Sequence, residues 1–186
     1  MEKDFYLILS KTISHSLRHK PLLYELELDD EGWVPLETLL TVLRQERPEW
    51  GDVQEVDLHQ MIESSDKHRH EIKDGRIRAL YGHSIPQKLK KTPAAPIEIL
   101  YHGTSQETAK IIKKQGIRPM GRQYVNLSVD IKTALQVGRR KGSTPVILKV
   151  EARRAHEAGI AFYEGNEIIW LADFVPTEFI VEAPFT

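Results

Sequence analysis

The residues best equipped for chemistry in this chain are cations gathered where a helix must stop. In Ser16-Leu17-Arg18-His19-Lys20-Pro21, proline lacks a backbone donor and disfavours a helical residue before it. Arg18, His19 and Lys20 therefore collect at a helix end. A guanidinium fork beside an imidazole suits a phosphate dianion, because both donate charge-assisted hydrogen bonds to its oxygens. Cations in a last turn also offset the negative end of the helix dipole, so the cluster alone leaves both readings open. Two further groups are basic: Ser65-Asp66-Lys67-His68-Arg69-His70 and Met120-Gly121-Arg122. His102-Gly103-Thr104 offers different chemistry. It should follow a strand over 97–101 and precede a helix capped by Ser105. Its glycine would let backbone approach a flat ligand, and His102 and Thr104 would add side-chain hydrogen bonds; a plain turn explains the glycine equally well. His15 and His19 lie one helical turn apart, but with no cysteine in the chain and no third ligand evident, a metal is not expected. Neither GxGxxG nor GxxxxGK[ST] occurs, so no Rossmann or P-loop phosphate site is indicated.

The elements that must position these residues fall into two groups. Tyr6, Leu9, Ile13 and Leu17 recur at helical spacing and predict a helix over 4–18. Asp30-Glu31-Gly32 reads as a turn and Trp33-Val34 as a short extended piece. Leu36, Leu39, Leu40 and Leu43 mark a second helix, and Val53, Val56 and Met61 a third over 52–64. His70–Lys73 and Arg76–Leu80 flank Asp74-Gly75, a pair suited to a type I′ hairpin turn. Helices followed by a basic hairpin predict a winged-helix-like lobe. The Lys- and Pro-rich stretch 88–96 reads as a linker. After it come strands over 97–101, 124–128 and 146–150, a helix from Ser105 to Gly116, and another over 130–139. Shorter strands are expected near 160–163, 167–171 and 178–182. The fold class is α+β, with lobes over 1–92 and 97–186.

Composition narrows the setting. With 186 residues the chain can bury a real core. The absence of cysteine excludes disulfides, thiolate metal sites and a cysteine nucleophile. No stretch approaches the ~20 apolar residues of a membrane span, and Met1-Glu2-Lys3-Asp4 does not open a secretory signal. A reduced, cytoplasmic setting is expected. Net charge is −1 but unevenly spread: residues 25–63 carry twelve acids against two bases, and residues 64–91 eight bases against three acids. That basic segment, rather than the overall balance, points to nucleic acid.

Taken together the motifs resemble something specific. Arg18-His19, Asp30-Glu31-Gly32-Trp33, Ser65-Asp66-Lys67-His68-Arg69, Arg76-Ile77-Arg78-Ala79, Gly82-His83-Ser84, Leu100-Tyr101-His102-Gly103-Thr104 and Met120-Gly121-Arg122 follow one another in that order. The succession resembles the RNA 2′-phosphotransferase family of KptA type over nearly the whole chain.

The resemblance implies an N-terminal winged-helix-like lobe that binds an RNA 2′-phosphate. It also implies a C-terminal ADP-ribosyltransferase-like lobe that binds NAD+ as a consumed co-substrate. The implied reaction has two steps. An internal 2′-phosphate attacks the anomeric carbon of the nicotinamide ribose and expels nicotinamide. The neighbouring 2″-hydroxyl then attacks that phosphate, releasing RNA with a free 2′-hydroxyl and ADP-ribose 1″,2″-cyclic phosphate. Arg18, His19, Arg69 and Arg122 match the family's catalytic group. The first three would grip the phosphate, and Arg122 would contact it where it meets the ribose. Gly103 would hold the nicotinamide amide through its backbone and His102 the ribose hydroxyls, with Thr104 and Ser128 as secondary contacts and Arg140 as a candidate for phosphate. The implied partner is 2′-phosphorylated RNA, with no metal, no membrane and a monomer as the working unit. Two departures stand out. Asn126 occupies a position where the family often has histidine. Asn166-Glu167-Ile168-Ile169-Trp170 replaces Asn-Gly-Val-Trp, and Glu167 reads as an exposed turn residue. The rival readings are an ADP-ribosyltransferase acting on protein or on a terminal phosphate, and a non-enzymatic RNA-binding winged helix.

Overall fold

The structure, a computed structural model, describes residues 2–183. The chain divides after Lys90 into two compact units, each with its own core and sheet, and its class is α+β.

The first unit opens with helix α1 (Glu2–Arg18), which buries Leu9, Ile13 and Leu17 completely. It stops at Arg18, and Pro21–Tyr24 continue as a tighter 3-10 turn in which the proline needs no donor. Strand β1 (Val34–Pro35) leads into α2 (Leu36–Glu46), whose Leu36, Leu39, Leu40 and Leu43 face the same core. Helix α3 (Glu55–Glu63) starts three residues later than the pattern predicts, because Gln54 and Asp57 form a reciprocal capping box there. Leu58 and Met61 anchor it, and Val56, expected in the core, is exposed. Strands β2 (His70–Lys73) and β3 (Arg76–Ala79) form the expected hairpin. Asp74 and Gly75 sit at φ 51° and 68°, the paired left-handed conformation a type I′ turn requires. The sheet order is β1-β3-β2, all antiparallel.

The charge imbalance of the sequence is partly cancelled in space. Arg76 pairs with Asp29 at 3.5 Å, Arg78 with Glu71 at 2.8 Å and Lys90 with Asp30 at 3.2 Å. Arg76 and Arg78 also lie over the Trp33 ring, at 5.1 and 4.3 Å from its centroid.

In the second unit, strand β4 (Leu100–Thr104) precedes α4 (Gln106–Gln115), β5 (Val125–Ser128), α5 (Ile131–Arg139) and β6 (Val146–Val150). A short helix α6 (Ala152–Glu157), β7 (Phe162–Glu164), β8 (Ile169–Ala172) and β9 (Ile180–Glu182) complete it. The sheet order is β7-β8-β5-β4-β6-β9, again antiparallel throughout. Ser105 and Asp130 cap α4 and α5 by accepting from the Thr108 and Thr133 amides.

The first strand departs from expectation. It begins at Leu100 rather than Ile97 and runs through His102-Gly103-Thr104, each paired with a residue of β6. Ile97 is exposed, so the apolar run starts before the sheet does. Helix α6 carries no large apolar repeat, only buried Ala152 and Ala155, which left no periodic signal to read. The stretch expected as a linker is held down: Leu89 is buried, Pro93 bridges Tyr163 and the Ala94 amide donates to Phe162 O. No helix among the described residues is long and apolar enough to cross a membrane.

Candidate functional site

In the first unit two of the candidates, Arg18 and Arg69, act on one buried ring. His70 opens β2 with 3 % of its surface exposed, and its Nε2 is hydrogen-bonded to Ser14 Oγ of α1 at 3.1 Å. Burial pushes its pKa down to about 3, reinforced by the charges of Arg18, Arg69 and His83. His70 is therefore neutral at ordinary pH. Because Arg18 and Arg69 both act on that one imidazole, the fold brings together two guanidiniums separated by fifty residues of sequence.

Local contacts orient each of them. Arg18 stacks on Tyr81 at 4.9 Å, with its Nε and Nη2 enclosed. Arg69 Nη1 donates to Ser65 Oγ at 3.4 Å. His19 Nδ1 and Ser84 Oγ are hydrogen-bonded at 2.7 Å, and the Ser84 amide donates to Arg18 O at 2.9 Å. One serine thus secures both neighbours at the end of α1. His15 turns its Nδ1 to the Tyr24 hydroxyl at 2.9 Å. Among the described residues no group of three or more His, Asp or Glu is arranged for a metal.

The second unit builds its site from backbone. The Ala183 amide donates to Ile147 O, so Ile147 turns its peptide groups toward β9, and Val146, Leu148 and Val150 turn theirs toward β4. Peptide groups alternate sides along an antiparallel strand. By the register of β4 with β6, His102 and Thr104 then face β6, while Tyr101 and Gly103 face β5. Only Tyr101↔Ser128 joins β4 to β5. Two residues further on, where Gly103 would meet Asn126, the ladder has parted.

His102 reaches into that opening. Its Nδ1 lies 3.1 Å from Asn126 O. A carbonyl oxygen only accepts, so Nδ1 carries the proton and Nε2 is left as an acceptor. Burial, with the charge of Lys141 added, holds the His102 pKa down to about 4, which keeps the ring neutral. Thr104 Oγ1 and Asn126 Oδ1 are enclosed with no hydrogen-bond partner in the protein, an arrangement that is uncommon unless a ligand or water completes it.

Gly103 was expected to admit a ligand, but the demand for glycine comes from the helix. A Cβ there would stand 1.8 Å from Ala134 O and 2.9 Å from Gly138 N of α5. Gly138 is tight in turn, 3.3 Å from Thr104 N and 2.7 Å from Pro145 Cβ. Helix and strand therefore meet backbone to backbone. This contact fixes the end of α5, where the Lys141 amide donates to Gly138 O at 2.9 Å.

Lys141 is the residue that sequence reading passed over in favour of its neighbour Arg140; both are exposed where α5 ends. Its ammonium acts on His102. Its own pKa is lowered by burial and then by Arg122. Arg122, whose charge adds to that lowering, is held in a turn by its amide bond to Pro119 O at 3.1 Å. Ser128 is buried at the paired end of the β4–β5 opening. Glu167 is exposed in the β7–β8 turn, where Asn166 Oδ1 accepts from the Ile168 and Ile169 amides at 3.0 and 2.8 Å.

Residues 6–174 match the family model described as RNA 2′-phosphotransferase, Tpt1 / KptA family. A protein of Acetivibrio thermocellus named "Probable RNA 2′-phosphotransferase" is 54% identical over 175 residues, covering 94% of this chain and 96% of its own. One of Bacillus thuringiensis subsp. konkukian with the same name is 54% identical over 179 residues, covering 96% of each chain. An archaeal protein, "Probable RNA 2′-phosphotransferase 1" of Archaeoglobus fulgidus, is 38% identical over 172 residues, or 92% of this chain and 78% of its own.

Proposed function

The chain belongs to the RNA 2′-phosphotransferase, Tpt1 / KptA family and is a transferase, and we propose that it moves an internal RNA 2′-monophosphate to NAD+. In the first step a phosphate oxygen bonds to the anomeric carbon of the nicotinamide ribose, and nicotinamide departs with the electrons of the broken C–N bond. In the second, the ribose 2″-oxygen bonds to phosphorus and loses its proton. The RNA 2′-oxygen departs and gains one. The products are 2′-hydroxyl RNA, nicotinamide and ADP-ribose 1″,2″-cyclic phosphate.

A phosphate dianion is already nucleophilic, so the protein's task is to position it and manage its charge. We assign Arg18, His19 and Arg69 to holding the 2′-phosphate, and Arg122 to the charge that develops in the second step. Residues 1–92 would serve as a winged-helix-like RNA lobe, a reading supported by the order α1–β1–α2–α3–β2–β3 and its three-stranded sheet. Residues 97–186 would serve as the NAD+ lobe. The protein would act as a monomer in the cytoplasm.

The observation that carries the NAD+ reading is the parted ladder between β4 and β5. It offers the Gly103 peptide edge, a neutral His102 whose Nε2 accepts, and the unpartnered Thr104 Oγ1 and Asn126 Oδ1. Such a set suits a ligand rich in hydroxyl and amide donors. Gly103 would take the carboxamide, His102 a ribose hydroxyl, and Thr104 and Ser128 would complete the pocket wall. Lys141 and Arg122 bring positive charge suited to phosphate.

The test is direct. The protein is incubated with NAD+ and an oligonucleotide carrying a labelled internal 2′-phosphate. Label is expected in ADP-ribose cyclic phosphate. A product that retains ADP-ribose on its acceptor would instead support the rival transferase, and no NAD+-dependent product at all would support a purely RNA-binding role.

A further inference from the structure

We propose that Asn126 reads the carboxamide of the dinucleotide in the β4–β5 opening, and so selects a pyridine carboxamide over the corresponding carboxylate. The inference rests on the NAD+ reading above and assigns a role to a residue that reading leaves unexplained.

Three observations carry it. The register that pairs Tyr101 with Ser128 sets Asn126 opposite Gly103, whose peptide groups face the same opening. Asn126 Oδ1 is enclosed and has no hydrogen-bond partner in the protein. The Asn126 main-chain oxygen is already engaged by His102 Nδ1, so the acceptor this residue has left to offer a ligand is its side-chain oxygen. An amide oxygen is purely an acceptor. A carboxamide brings N–H donors to such a surface and a carbonyl for the Gly103 amide. A carboxylate brings no donor, and it would bury its charge against lone pairs. Sites built to pair a donor reject analogues lacking it far more strongly than apolar pockets discriminate by size.

The positive charge of Lys141 works the other way, since it would favour the acid. The two influences can be separated by equilibrium binding without RNA, where no phosphate nucleophile is present. NAD+, nicotinic acid adenine dinucleotide and ADP-ribose are titrated calorimetrically into the wild type, Asn126→Ala and Asn126→Asp, with melting curves to verify folding. For the wild type, the acid dinucleotide should bind at least about tenfold more weakly than NAD+. Asn126→Ala should weaken NAD+ roughly tenfold, leave ADP-ribose within about twofold, and narrow the gap between amide and acid. Asn126→Asp keeps an acceptor of the same shape, so NAD+ should stay within about threefold while the acid form ceases to bind.

The proposal is overturned if the wild type binds the acid as tightly as the amide, or if Asn126→Ala leaves their ratio unchanged. Should Asn126→Ala fail to fold, loss of NAD+ binding in the isosteric Asn126→Asp with ADP-ribose binding intact would overturn it too. Binding of none of the three ligands by the wild type would reject the NAD+ reading itself.

Discussion

The two units position their candidate residues in opposite ways. In the first, the work is done by side chains at the ends of elements: Arg18 and His19 close α1, and Arg69 precedes β2. Each is oriented by another side chain, Tyr81, Ser84 or Ser65. In the second, main chain does most of it. A ladder parts after one pair, and a helix lies so close that two glycines are obligatory. Side-chain sites degrade by degrees when one member is lost. A site defined by backbone spacing has fewer partial states, because whatever spreads the strands removes several contacts together.

Gly103→Ala is the sharpest way to break that contrast. The added methyl would sit 1.8 Å from a main-chain oxygen, where no rotamer change can relieve it. Overpacking of this kind should cost about 3 kcal/mol or more. Thermal unfolding followed by calorimetry should show the second unit melting far earlier. Gly75→Ala offers the counterpart in the first unit. Its φ of 68° is strained for alanine, but nothing lies within 4 Å of the new methyl, so about 1 kcal/mol is expected. Equal losses in the two variants would show that α5 can retreat from β4 and that the backbone account is mistaken.

The same contrast explains what could be read in advance. The end of α1 was legible because Pro21 dictates it, and the hairpin because Asp-Gly demands both left-handed residues. The cations of the first unit announce themselves by type. What was hidden depends on register. His102-Gly103-Thr104 read as a turn because nothing in the sequence says how far β6 extends its pairing. The opening beside Gly103 exists only once β5 is known to pair at Ser128 and not beyond. Lys141 and Arg140 are indistinguishable as letters, and only the anchoring of Gly138 against β4 decides which one acts on His102. His70 looked like one more basic residue, whereas burial makes it neutral.

The assigned arginines sharpen the comparison through kinetics. Arg18→Ala should lower the rate of nicotinamide release by roughly 100-fold, the usual scale for removing one charge-stabilising donor. Arg122→Ala should spare that step and let RNA-2′-phospho-ADP-ribose accumulate, as resolved by gel in single-turnover reactions. Accumulation in both variants, or in neither, would dissolve the division of labour between them.

Acid separates the units through their buried histidines. His70 and His102 have folded pKa values of about 3 and about 4 against an ordinary 6.5. Between those values and 6.5 the unfolded chain binds more protons, so stability falls as pH is lowered through that window and is unaffected above it. Each ring can contribute up to about 1.4 kcal/mol per pH unit, a bound that buried His70 approaches more closely than half-buried His102. The groups facing His70 are Arg18, Arg69 and His83, all of which oppose its protonation. His70→Phe keeps the packing and removes the titration. It should flatten the decline of the first unit's melting temperature between pH 6 and 4 while leaving that of the second unchanged. An unaltered slope would mean that the acid sensitivity lies elsewhere.

Ser84 gives the smallest expected effect and tests whether side-chain orientation in the first unit is graded. Its hydroxyl is exposed and meets His19 Nδ1 at 2.7 Å, while its main-chain amide bond to Arg18 O would survive substitution. Ser84→Ala should therefore cost under about 1 kcal/mol in stability. His19 would keep its place at the end of α1 but lose the contact that fixes its ring. If His19 grips phosphate, KM for the 2′-phosphorylated RNA should rise by about threefold to tenfold with kcat nearly unchanged, the scale of one hydrogen bond. Ser84→Thr, which keeps the hydroxyl, should restore the wild-type value. A fall in kcat with an altered pH profile would instead make His19 a proton carrier in the second step, and the first unit would then take part in chemistry as well as binding.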